Sequence, residues 1–209
     1  MFTGIIQTQA IVEHTKHEGG VLRLTLKVAN EYAQKLTMGA SIAINGCCLT
    51  VVEFKALQDS DFTLIYFDVI DETLKLTNLG QLQNGQWANF ERSVTVGTEL
   101  GGHIVSGHIH CMANITSIIH EQNNCKMHLT IDPKWQKYLL YKGFVSVNGA
   151  SLTVGEVDER GFWLHLIPET LAITNLDKQR EGNLLNIEVD QQTYTIINTV
   201  ENYLARQAN

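Results

Sequence analysis

The chain has 209 residues, 44% hydrophobic and 18% charged, with 16 Gly and 2 Pro, too long for a disulfide miniprotein and too apolar for a disordered tail. A formal charge of −7 offers no basic surface to nucleic acid, and no window approaches the roughly 18 consecutive apolar residues that a membrane helix needs. The opening Met1-Phe2-Thr3-Gly4-Ile5-Ile6-Gln7-Thr8 lacks the basic region of a signal peptide, and Cys47, Cys48, Cys111 and Cys125 form no C-x-x-C pair, so a reduced, cytoplasmic chain is expected.

Val21–Val28 alternates apolar and polar residues, the pattern of a half-buried strand. Asn30 and Gly39 bracket a short predicted helix, with Asn30 as its cap. Ser41-Ile42-Ala43-Ile44 runs into Asn45-Gly46, the commonest tight-turn dipeptide, and leaves through Leu49-Thr50-Val51. Phe62–Phe67 reads as a further strand. Asp132, Pro133 and Gly143 mark the cap, first turn and end of a second short helix. Phe144-Val145-Ser146-Val147 leads into Asn148-Gly149, and Phe162–Leu166 is another strand. In the tail, Ile196, Ile197, Val200, Tyr203 and Leu204 form one apolar stripe on a terminal helix, which favours self-association.

Half of this inventory repeats the other half. Asn45-Gly46-Cys47-Cys48-Leu49-Thr50-Val51 returns as Asn148-Gly149-Ala150-Ser151-Leu152-Thr153-Val154, an offset of 103 (148 − 45). Glu72–Leu79 returns as Glu169–Leu176 at an offset of 97 (169 − 72), which also carries Gly85, Asn89 and Glu91 onto Gly182, Asn186 and Glu188. Thr3-Gly4-Ile5-Ile6 matches Ser106-Gly107-His108-Ile109. Tandem duplication of a small β-barrel follows, with the second copy trimmed by six residues (103 − 97) in a hairpin or loop. The expected boundaries are residues 1–97, 98–190 and 191–209.

Matched polar positions are the candidate chemistry. Cys48 aligns with Ser151, and Thr50 and Thr153 follow two residues on, on the same strand face. Thr73 and Thr170 form a second hydroxyl pair. Such pairs suit two equivalent sites for one polar heterocycle, although Thr is also an ordinary strand former. His108 replaces the apolar Ile5 of the first copy, which makes it a candidate general base together with His103. A zinc site from His103, His108, His110 and Cys111 lacks a second ligand cluster of standard spacing, and His110 reads as a structural histidine. No phosphate-binding loop, dinucleotide fingerprint or zincin motif appears.

In Met1-Phe2-Thr3-Gly4-Ile5, Asn45–Val51, Gly101-Gly102-His103, Ser106-Gly107-His108, Ser151–Gly155 and Ile167–Leu171 the chain closely resembles riboflavin synthases of the duplicated type. The resemblance implies an all-β fold of two tandem six-stranded Greek-key β-barrels plus a C-terminal α-helix that assembles a homotrimer. It implies a cofactor-free dismutation of two 6,7-dimethyl-8-ribityllumazine molecules to riboflavin and a ribitylamino-uracil, at a site between subunits. By position, His108 with Thr153 would remove the C7-methyl proton in the C-terminal pocket, and Ser151 and His103 would assist. Cys48 and Ser41 would act on the acceptor; Thr50, Thr73 and Thr170 would bind the rings; Asn89, Asp190 and Phe2 would lie at the site. Asn148 stands where the family usually has an acidic residue, so no carboxylate role carries over there. Related lumazine proteins share the fold without the activity, and a ligand-free barrel module is the remaining alternative.

Overall fold

The computed structural model describes residues 1–122 and 124–208. The first copy forms β1 (Thr8–Glu18), β2 (Val21–Ala29), β3 (Ser41–Ile44), β4 (Cys47–Ala56), β5 (Phe62–Ile70) and β6 (Trp87–Arg92). These pair in the order β1-β2-β5-β4-β3-β6, and β6 returns to β1 through Thr8↔Phe90 and Ile11↔Trp87, closing a barrel. The alternation in β2 is the reason: Leu22, Leu24, Leu26 and Val28 are at most 3% exposed, while Arg23 meets Asp68 of β5 on the outer face. Each such buried aliphatic stabilises the fold by about 1.5–3 kcal/mol.

The second copy forms β7 (Cys111–Glu121), β8 (Asn124–Thr130), β9 (Phe144–Val147), β10 (Ala150–Thr153), β11 (Gly161–Leu166) and β12 (Leu184–Val189), in the order β10-β9-β12-β7-β8-β11. Its seam differs from the first. There, β4 and β5 form a long ladder from Ala56↔Thr63 to Val51↔Phe67. Here β10 stops at Thr153, and the gap to β11 is bridged by Gly155 N–H on the Trp163 carbonyl and Trp163 N–H on the Glu156 carbonyl, both at 2.8 Å. The six-residue trim falls in this hairpin. A Cβ on Gly155 would stand 2.7 Å from the Trp163 carbonyl oxygen, so only glycine lets the strands meet.

Both Asn-Gly pairs form tight hairpin turns with two left-handed residues, Asn45 and Gly46 at φ 45° and 79°, Asn148 and Gly149 at φ 44° and 87°. The short helices are smaller than expected. Asn30 begins a single 3-10 turn, Asn30–Ala33, rather than capping it, because its side chain instead joins Ser60 and Thr63. Asp132 does cap, accepting from Lys134 N–H at 3.0 Å, but the α-helix α2 is only Pro133–Gln136. Two further short helices follow β5 and β11, namely α1 (Asp71–Leu76) and α3 (Pro168–Ile173). After β12 comes α4 (Gln191–Gln207); Asn209 of the predicted tail lies outside the described residues. Ile197 and Tyr194 of α4 pack on the second core. The remaining stripe residues Ile196, Val200, Tyr203 and Leu204 are 51–63% exposed.

The two units are joined around an internal two-fold relation by three repeat pairs of buried asparagines. Asn89 Nδ2 donates to the Asn148 carbonyl and its mate Asn186 Nδ2 to the Asn45 carbonyl, both at 2.9 Å. Asn78 Nδ2 reaches Asn148 Oδ1 and Asn175 Nδ2 reaches Asn45 Oδ1, both at 3.0 Å. Between them the hairpin turns touch: a Cβ on Gly46 would lie 2.6 Å from the Gly149 nitrogen.

Candidate active site

Each unit presents one strand pair with matched polar side chains. In the first, Ser41 lies opposite Thr50 and Ala43 opposite Cys48; in the second, Phe144 lies opposite Thr153 and Ser146 opposite Ser151. Thr50 and Thr153 are exposed, Cys48 and Ser151 half-buried. The slot that holds Ser41 in one copy therefore holds an aromatic ring in the other. The Phe144 ring stacks on His103 with centroids 5.1 Å apart and planes 14° from parallel.

His103 Nδ1 shares a 2.7 Å hydrogen bond with Ser151 Oγ. Burial pushes the imidazole below its ordinary range, opposed in part by the charge of nearby Asp190. A neutral ring can take or give a proton to the Ser151 hydroxyl; an imidazolium can only give. In a histidine NMR titration, His103 should have its midpoint below 6.5, and Phe144→Ala, by admitting water, should move it upward. The sign follows from the lowered folded value: the neutral ring contributes stability above 6.5, which is lost as pH falls through the folded midpoint.

Two chain segments finish the shelves. The Gly107 carbonyl accepts the Cys48 N–H at 2.8 Å, and the Gly4 carbonyl accepts the Ser151 N–H at 2.7 Å. Phe2 and Val105 pair between the two segments. The turn carrying the exposed His108 is thus seated on Cys48 of the first unit, whereas the sequence reading set His108 beside Thr153. The second shelf receives His103 instead, whose N–H donates to the Thr3 carbonyl at 3.1 Å.

Several expected site residues also have structural partners. Asn89 is fully buried in the asparagine junction. Asp190 caps α4, its Oδ1 accepting from Thr193 N–H at 2.8 Å and Oγ1 at 2.7 Å. Phe2 is 1% exposed and packs with Ala43, Val105 and Cys48, so it supports the first shelf from beneath. Thr73 and Thr170 stand half-buried on α1 and α3, a different element from the strand hydroxyls. His110 is held against Trp135, with Nδ1 accepting from Val189 N–H at 3.3 Å, the structural role expected of it. Burial raises the Cys47 and Cys111 thiols to about 12, which removes both as nucleophiles at neutral pH.

Sequence reasoning missed the asparagines as a junction and gave no role to Glu91 and Glu188, although the shared 97-residue offset marked both carboxylates. A cavity of about 360 Å³ opens over the junction, lined by Asn45, Asn78, Trp87, Asn148 and Asn175. Its amides bond one another across the two-fold, which makes it a gap in the interface between the two units.

The Lumazine binding domain family matches the chain twice, over residues 3–93 and 106–190. Riboflavin synthase of Escherichia coli strain K12 is 42% identical over 210 aligned residues, covering 100% of this chain and 96% of that one. Riboflavin synthase of Bacillus subtilis strain 168 is 38% identical, covering 91% and 85%. Among solved structures, LumP complexed with riboflavin superposes with a TM-score of 0.80 at 26% identity, over 91% of this chain and 100% of that one. With both repeats matched and that identity sustained from end to end, the chain belongs to the riboflavin synthase family of enzymes.

Proposed function

We propose that this chain converts two molecules of 6,7-dimethyl-8-ribityllumazine to riboflavin and 5-amino-6-ribitylamino-uracil by moving a four-carbon unit, without a cofactor. The observation that carries the reading is the pair of related but unequal shelves, Ser41, Cys48 and Thr50 on one unit and His103, Ser151 and Thr153 on the other. A reaction between two copies of one substrate needs two like pockets with unlike duties. The C7 methyl is acidic because its anion delocalises into the ring, so a weak base such as His108 suffices. Much of the rate then comes from holding two rings together.

Residues 1–97 and 98–190 serve as the two lumazine-binding units and 191–209 as the assembly helix. The shelves of one chain are open, with Thr50 and Thr153 exposed, and a facing unit from a neighbouring subunit of a homotrimer would enclose them. Exposed Ile196, Val200, Tyr203 and Leu204 on α4 support that assembly. Four free thiols suit the cytoplasm.

Mixing the pure protein with the lumazine alone should yield riboflavin fluorescence; a changed emission with the ligand recovered intact would mean a pigment carrier. His108→Leu should slow turnover about 10²-fold with lumazine binding retained, and unchanged turnover would remove His108 as the base. Deleting the residues after Gln192 should lower the sedimenting mass from trimer to monomer; an unchanged mass would place the contacts elsewhere.

A further inference from the structure

Each shelf is completed by the other repeat, and each completing segment is anchored by a buried carboxylate of its own unit. Glu91 of β6 receives Thr3 N–H at 2.7 Å and Thr3 Oγ1–H at 2.8 Å on Oε1, and Gly4 N–H at 3.1 Å on Oε2. The segment it holds then crosses to the second unit, where Gly4 receives the Ser151 N–H and Thr3 the His103 N–H. Glu188 of β12 repeats the arrangement: Ser106 N–H and Oγ1-equivalent Oγ–H both reach Oε1 at 2.7 Å, and Gly107 N–H reaches Oε2 at 2.9 Å. Its segment crosses to the first unit, where Gly107 receives the Cys48 N–H.

Both carboxylates are 2% exposed. Three donors converge on each, a number that a carboxylate satisfies with both oxygens and an amide cannot, because one end of the amide is itself a donor. The fit at the far end is equally close. A Cβ on Gly4 would lie 2.6 Å from Ser151 Cβ, and one on Gly107 would lie 2.6 Å from Cys48 Cβ. Movement of either anchored segment is therefore transmitted to the shelf it touches.

We propose that Glu91 and Glu188 are crossed positioning residues: Glu91 of the first unit sets Ser151 and His103 of the second half-site, and Glu188 of the second unit sets Cys48 of the first. This rests on reading the two shelves as the half-sites of the reaction. Neither glutamate touches the reacting groups; each acts through a dipeptide of backbone.

The test is a double comparison on the full-length protein. Iodoacetamide alkylation of Cys48, located by fragmentation mass spectrometry, reports the first shelf, and the His103 ring signals in NMR report the second. Glu188→Gln should change the Cys48 rate about tenfold, the factor for losing a charge-assisted hydrogen bond, and leave the His103 signals in place. Glu91→Gln should move the His103 signals and leave the Cys48 rate unchanged. Where a glutamine variant fails to fold, Ser106→Ala and Thr3→Val remove one donor each and should give the same crossed pattern at smaller size. Each glutamate disturbing its own unit's shelf, both probes moving together in both variants, or neither moving, would overturn the assignment. Riboflavin formation separates the two readings. A crossed pattern with turnover unchanged keeps the positioning and removes the half-sites, whereas an uncrossed pattern with turnover lost does the reverse.

Discussion

Asn148→Leu should destabilise the fold by about 3–5 kcal/mol in urea unfolding, the sum of orphaned buried groups at roughly 1–3 kcal/mol each and left-handed backbone strain. Asn148 is fully buried. Its Oδ1 accepts Asn186 N–H at 2.8 Å and Asn78 Nδ2 at 3.0 Å, and its Nδ2 donates to Asn175 Oδ1 at 3.4 Å. Leucine supplies none of these, and at φ 44° it also meets strain that asparagine tolerates. Asn78 keeps a second acceptor in the Leu184 carbonyl, so the main losses are the Asn186 N–H and the Asn175 amide. Asn45→Leu should cost a similar amount, because Asn45 Oδ1 receives Asn89 N–H and Asn175 Nδ2 in the mirrored way. A loss under about 1 kcal/mol would mean that these amides find water instead of one another.

Gly107→Ala should reduce turnover about 100-fold, the scale on which a displacement of 1 Å at a reacting group acts. The added methyl would sit 2.6 Å from Cys48 Cβ and 2.9 Å from the Phe2 ring, at a φ of +84° that already disfavours a side chain. Phe2 is pinned between the two units, so Cys48 and the His108 turn must yield. Gly182→Ala is the control. It carries the same backbone penalty at φ +88°, yet nothing lies within 4 Å of its added methyl. It should lower stability by about 1 kcal/mol and leave turnover intact. Equal losses in both variants would show that strain, not contact with Cys48, governs the result.

Local pattern made much of the architecture legible. Leu22, Leu24 and Leu26 announce a strand by their spacing, and Asn45-Gly46 announces the turn that must follow Ile44, because both rest on interactions within a few residues. The C-terminal stripe was readable for the same reason. What stayed illegible was how a side chain is used once the chain has folded. Asn89 has no feature in its neighbourhood that distinguishes a ligand-binding amide from one bonded to Asn45, Asn148 and Asn175. Asp190 carries a charge near His103 but spends its oxygen on the first turn of α4. The seam at Gly155 depends on how closely the Trp163 carbonyl approaches. That the His108 turn sits on Cys48 of the first unit was not readable either, because a repeat offset shows which residues are equivalent and not that two segments exchange places.

That exchange bears on how a doubled gene ages. At the junction Asn45 and Asn148 each bond to both Asn78 and Asn175, so a change in one copy breaks contacts of the other, and all three positions hold asparagine in both copies. On the shelves the contact between copies runs through backbone and glycine, which leaves the side chains freer to differ. There the copies have parted, with cysteine against serine at 48 and 151, serine against phenylalanine at 41 and 144, and isoleucine against histidine at 5 and 108. The molecule keeps its symmetry where the halves grip each other and relaxes it on the two open shelves, where only Thr50 and Thr153 still match.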